Sequence, residues 1–287
     1  MSSVRRIICL ANSWKRKERC IAGIDTETGQ WIRPVCDDRF PEDGRVPSQI
    51  RQIEGREPEL LDILEIPLSQ TCQAFKFERE NLSILSGQWR KVGKATPADL
   101  FPYCDNSADI LHNPLKFVKI SELNSFPFHQ RQTIQLVRTT QFSIEPRSAS
   151  HGGVHWKGSF QTVRGQNLFD ANITDPIFVQ KLEYGHPLQN DYLLTISLSL
   201  PWKPPDWEDE APCWKLIAGV IELSEDEVAI AEIDRQMQRV GWSIDRGRNY
   251  LRQNFQKRSR RQLTSEELQQ FLQHLRVLPA GDDDIPY

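Results

Sequence analysis

The chain lacks any apolar stretch able to cross a bilayer as a helix. Its longest apolar-leaning runs, Leu193–Trp202 and Leu216–Leu223, hold about ten residues or fewer, against the roughly 20 that a spanning helix needs. A secretory leader is not expected either: Met1-Ser-Ser-Val-Arg-Arg is charged, but Ile7–Ala11 is too short for the apolar region of a signal and no small-residue cleavage site follows. No membrane association and a cytoplasmic location are the expectations. The six cysteines, Cys9, Cys20, Cys36, Cys72, Cys104 and Cys213, form no CxxC pair, which speaks against a structural zinc knuckle, and the cytoplasm speaks against disulfides. His151 and His155 are the nearest thing to a ligand pair, yet an HxxxH beside glycines reads as a polar loop entering a strand. Neither metal nor cofactor is expected. A Walker glycine loop, GxSxG and HExxH are all missing. The acids at Asp37-Asp38 and Asp206–Glu210 fall in loops where solvated charge is the ordinary explanation. A non-enzyme is expected, with a metal-dependent nuclease built from distant acids as the alternative.

What is present is enough for several domains: 287 residues, 38% hydrophobic and 26% charged, which suits packed cores with wet surfaces. The net charge of −3 conceals an uneven layout. Between Arg235 and Arg261 nine cations stand against one acid, Asp245, a local +8 that leaves −11 for the rest of the chain. Such asymmetry points to a polyanionic partner.

Up to Leu223 the pattern is that of strands. Ile7–Ala11 suits a buried strand, and Cys20–Asp25 and Trp31–Val35 form a hairpin across Thr-Glu-Thr-Gly, with Gly29 free to take the left-handed turn conformation. Further strands are expected at Leu61–Ile66, Thr133–Ile144, Val154–Val163, Tyr192–Leu200 and Trp214–Leu223. Asp37–Glu59 reads as an elaborated or partly mobile loop, Thr96-Pro97-Ala98-Asp99 starts a short helix, and Pro201–Glu210 is a proline-broken acidic loop. After Leu223 the period becomes helical. Ser224-Glu-Asp-Glu227 and Thr264-Ser-Glu-Glu267 are capping boxes. They open the first and third of three helices, the second running from about Asp245 to Gln256.

Cys9-Leu-Ala-Asn-Ser, Arg19-Cys-Ile-Ala-Gly-Ile-Asp25 and Gly29-Gln-Trp-Ile-Arg-Pro-Val35 together resemble the start of the dual OB-containing domain family, and Lys215-Leu-Ile-Ala-Gly-Val-Ile221 is similar to its closing strand. The resemblance covers roughly residues 4–222. It implies a β-rich chain of two OB-like small β-barrels in series, here followed by an α-helical tail. Barrels at 4–118 and 119–223, a three-helix basic module at 224–279 and an acidic end at 280–287 are expected. By association it also implies a nucleic-acid-linked role in bacterial or phage conflict biology, without catalytic residues to carry over. Gly241-Trp, Gly247-Arg-Asn-Tyr-Leu, Lys257-Arg-Ser-Arg-Arg-Gln-Leu-Thr and Glu267-Leu resemble a helical module of bacterial DNA annealing and recombination proteins.

Two sets of residues are candidates for contact with nucleic acid, single-stranded by preference. In the tail they are Arg246, Arg248, Arg252, Lys257, Arg258, Arg260 and Arg261, because clustered cations release counterions from phosphates without reading bases. Trp242 and Tyr250 beside them read as core. In the first barrel the candidates are Trp14, Lys15, Arg16, Lys17, Arg19, Trp31 and Arg33, which mix aromatics with cations as single-strand platforms do. Trp31 alternates with Ile32, so one of the two must face inward. The competing reading is a subunit whose barrels dock a protein effector and whose tail charge is structural.

Overall fold

The computed structural model describes residues 3–72, 77–104, 107–148 and 153–280. The chain divides into two compact units, one of Met1–Thr96 with Pro102–Glu222, the other of Pro97–Phe101 with Leu223–Tyr287. Both barrels fall in the first unit. Among the described residues no helix is long and apolar enough to cross a membrane.

The first barrel is built from β1 (Ser3–Lys15), β2 (Glu18–Asp25), β3 (Trp31–Val35), α1 (Ser48–Arg51), β4 (Asp62–Leu68) and β5 (Asn81–Ser83), with β6 (Arg90–Lys94) added at an edge. Strand order is β5-β3-β2-β1-β4-β6, with β3 and β5 parallel. Leu68 also bridges Ile84 just past β5, so the five main strands curl until first and last meet. The β2–β3 turn is as expected: Gly29 has φ +67°, a conformation its missing Cβ makes free. β4 alternates buried and half-buried residues along its length, the period of a strand with one face on a core. β1 does not alternate, and Ile7 to Ser13 are all buried. Ile7 and Cys9 enter the first barrel's core with Ile21, Ile32, Leu64 and Ile66. Ala11, past a bulge, packs the other way, on Ala22, Ile134 and Ala218.

The second barrel repeats the plan with β8 (Ile134–Ser148), β9 (Val154–Thr162), β10 (Asn167–Ile173), α3 (Pro176–Glu183), β11 (Asp191–Leu198) and β12 (Pro212–Leu223). It is preceded by β7 (Phe117–Lys119) and α2 (Ile120–Ser125). The order β10-β9-β8-β11-β12 closes through a parallel β10–β12 pairing, which makes a five-stranded barrel. Strands one to five thus run in ring order 1-2-3-5-4 in both halves. β7 pairs with β12, so the division expected after residue 118 falls inside a strand of the second barrel. Leu111, Val137, Phe160, Leu168, Tyr192, Leu194 and Ile217 fill its core.

In the second unit α4 (Glu225–Arg239), α5 (Ile244–Phe255) and α6 (Ser265–Val277) enclose Ile233, Met237, Leu251, Leu268, Phe271 and Leu275. Both capping boxes form, at Ser224 with Glu227 and at Thr264 with Glu267. The short helix expected from Thr96-Pro97 forms as a 3-10 helix over Pro97–Tyr103, and Pro102 inside it removes a donor. The expected acidic end lies, from 281 on, outside the described residues.

Candidate nucleic-acid interface

The β1–β2 turn is made by Arg16 and Lys17, both in the left-handed region at φ 47° and 70°. This tight reversal holds Trp14, 50% exposed, at the rim of the first barrel. The Arg19 guanidinium lies 5.8 Å from its ring centroid, a cation–π distance. Lys17 is exposed and Lys15 half-exposed, while the Arg16 Nε reaches Asp43 at 3.5 Å. Five of the predicted residues are therefore brought together.

Trp31 and Arg33 are not among them. Trp31 is half-buried and packs with Ala11, Ala22, Ile134 and Ala218 between the two barrels. The alternation with Ile32 is right, but the outward face is covered by the second barrel. Arg33 is 2% exposed. Its Nη1 pairs with Glu78 at 2.5 Å, and its Nη2 donates to Thr133 Oγ1 at 3.3 Å and Ser197 Oγ at 3.2 Å. Glu80 joins from the same side, accepting from the Thr133 amide and hydroxyl, each at 2.8 Å. Burial pushes the Glu80 carboxyl above the usual carboxylate range, with Arg33 opposing it. Arg33 is a tie between barrels, withdrawn from any surface ligand.

In the tail the expected cluster is partly spoken for. Arg260 pairs with Asp234 and Arg261 with Asp99. Arg248 reaches Asp245 at 3.4 Å, and the Arg246 guanidinium sits 4.7 Å over Trp242. Trp242 and Tyr250 are core, as read: Tyr250 stacks on Phe271 at 4.9 Å and on His274 at 4.5 Å. Arg252, Lys257 and Arg258 make no ion pair within 4 Å among the described residues, and Arg252, Gln256 and Arg258 line an open concavity of about 380 Å³.

The second barrel carries a groove that the sequence reading passed over. Lys116, Lys157, Asp170, Asn172, Trp202 and Trp214 line about 380 Å³ on the residue before β7, on β9, β10 and β12, and on the β11–β12 loop. Trp202 is 60% exposed. Its carbonyl accepts from Trp214 Nε1 at 2.8 Å, and Trp214 in turn meets Trp207 and Phe117 edge-on at 5.6 and 5.5 Å. Lys116 Nζ lies 5.8 Å from the Trp214 ring, and Asp170 reaches Lys116 at 3.4 Å and Lys157 at 3.6 Å. Beneath, Lys215 is 2% exposed and donates to the carbonyls of Ile110 and Asn113. Burial pulls its pKa down to about 8. The available signal was three of the eight tryptophans, Trp202, Trp207 and Trp214, crowded into thirteen residues. They were masked by the acids between them, of which Asp209 pairs with Lys119 and Glu210 accepts from Ser121.

Among the described residues no three His, Cys, Asp or Glu side chains gather as metal ligands. Of the HxxxH pair, His151 lies outside the described residues and His155 is exposed on β9. The loop 37–59 is pinned: Arg51, 5% exposed, pairs with Glu18, meets Glu57 at 2.7 Å and donates to the Val46 carbonyl at 2.5 Å.

Both ring orders are those of OB barrels, which meet oligonucleotides and oligosaccharides with strands two and three and the loops joining strands one to two and four to five. One relative, an uncharacterized protein of Synechocystis sp., is 43% identical over 65 residues, which is 23% of this chain and 21% of that protein. The chain thus spans about a fifth of that relative's length. The family model for the dual OB-containing domain matches residues 5–220. OB domains point to nucleic-acid binding in general. With matching ring orders in both halves and a match over most of its length, this chain belongs to the dual OB-containing domain family.

Proposed function

We propose that the protein binds single-stranded nucleic acid without chemically altering it, as an adaptor. The observation that carries this reading is that each barrel exposes a tryptophan beside cations on a loop of the kind OB barrels use: Trp14 with Arg19 on the first, Trp202 near Lys116 and Lys157 on the second. Exposed indoles stack on bases, whose faces are covered in a duplex and open in a single strand. Arg252, Lys257 and Arg258 in the tail add sequence-independent phosphate contacts. A place in bacterial or phage defence or in recombination fits this activity.

The test compares labelled single strands, the matching duplex and heparin by anisotropy and tryptophan fluorescence, with magnesium, manganese or zinc added to watch for cleavage. The expected result is tightest binding and fluorescence quenching with the single strand and intact label throughout. Equal affinity for heparin and duplex would sink the single-strand reading, and chelator-sensitive cleavage would sink the non-enzymatic one. The effector-docking alternative is favoured by one observation, the engagement of Arg260 and Arg261 with the chain's own acids.

A further inference from the structure

The two exposed tryptophans belong to different barrels, yet the backbone joins their surroundings. Trp14 N donates to the Thr174 carbonyl at 2.9 Å, and Thr174 N donates to the Ile217 carbonyl at 2.9 Å. Thr174 lies two residues, about 7 Å of extended chain, from Asn172, which lines the second barrel's groove. The outward side of β12 tells the same story. Trp214 and Leu216 line the groove, and Ala218, next on that side, is buried against Ala11 of β1. Thr195 Oγ1 donates to the Leu10 carbonyl at 2.7 Å, and a Cβ on Gly219 would stand 2.2 Å from that same oxygen. The floor of the groove therefore runs into β1, and the strand that closes its end carries the Trp14 turn.

Resting on the single-strand reading, we infer that the barrels do not offer two sites but one: a continuous track that starts at Trp14, follows β10 and β12 and ends at Trp202, taking one strand of nucleic acid. Bases stack at its two ends, Asn172 faces the middle, and Arg19, Lys157 and Lys116 supply positive charge along it. Lys116 and Lys157 share the single carboxylate of Asp170, so the trio keeps a net positive charge for a phosphate.

A deoxythymidine octamer, within the roughly 4–16 nucleotides that one OB fold covers, tests this by calorimetric stoichiometry and by affinity for Trp14→Ala, Trp202→Ala and the double variant. Both side chains are at least half exposed, so their removal leaves the cores intact, which a melting curve checks. The track requires one octamer per chain, with each single substitution weakening that same event by about tenfold or more. Two octamers per chain, or one octamer indifferent to either tryptophan, overturns the track while leaving single-strand binding in place. Failure of every oligonucleotide to bind overturns both.

Discussion

Arg33 shows how a residue that reads as a ligand contact can be a structural tie. A guanidinium two residues past Trp31 on one strand looks like a phosphate hook; here it is a cation buried opposite Glu78 and Glu80, which are 5% and 3% exposed. Removing it strands buried carboxylates. Arg33→Met should therefore lower unfolding free energy by about 3–5 kcal/mol, read by urea denaturation. The sign of its pH dependence follows from Glu80, whose folded carboxyl burial pushes above the usual carboxylate range while Arg33 opposes it. Without Arg33 that rise grows, unfolding releases protons, and the variant loses stability as pH rises through the raised pKa. The deficit should thus shrink on acidification from neutral pH. A deficit that grows on acidification would show that Arg33 is not what keeps these carboxylates tolerable.

At the scale of elements, helix starts separate buried from exposed caps. Ser224 opens α4 from an exposed position, accepting from the Glu227 amide at 3.3 Å. Asp175 opens α3 while 4% exposed, accepting from Ile177 and Phe178 at 3.0 and 3.1 Å and, through its other oxygen, from the Val220 amide at 3.0 Å. Ser224→Ala should cost about 0.5–1 kcal/mol. Asp175→Ala should cost about 2 kcal/mol or more, since it also leaves a strand amide buried without an acceptor. Equal losses in parallel denaturation curves would contradict that ranking. The same elements explain what was legible in the sequence. Capping boxes, the glycine turn and strands buried on one or both faces announced themselves through local chemistry. β10 did not, because Asp170, at φ 55°, sits in a bulge that breaks its alternation. β5 is only three residues long, and β6 is a polar edge strand with no apolar face to repeat. α3 carried a readable start, Asp175-Pro176, that the strand pattern around it hid. The site divides likewise: Trp14 and its cations share one turn, whereas the second groove joins residues from 116 to 216, which no spacing rule connects.

For the whole molecule, the charge of the tail is smaller in effect than in count. With Arg260 and Arg261 committed to Asp234 and Asp99, Arg252, Lys257 and Arg258 are the neighbouring cations in this segment left open to phosphate. Each phosphate neutralised on a single strand contributes about −0.7 to the slope of log affinity against log salt. Replacing these three with serine should flatten that slope by about 2, whereas serine at 260 and 261 should change it little and cost the tail about 1 kcal/mol or less. An unaltered slope in the triple variant would favour the effector-docking reading. The joint between barrels reaches further than any of these sites. Because β1 is covered on both faces by different halves of the chain, a gene fragment encoding the first half alone would specify a strand stripped along one side, and one encoding the second half alone would leave Ile134 and Ala218 without that strand. The doublet is therefore a single unit of inheritance. Anyone grafting it onto another protein must move residues 3–222 together.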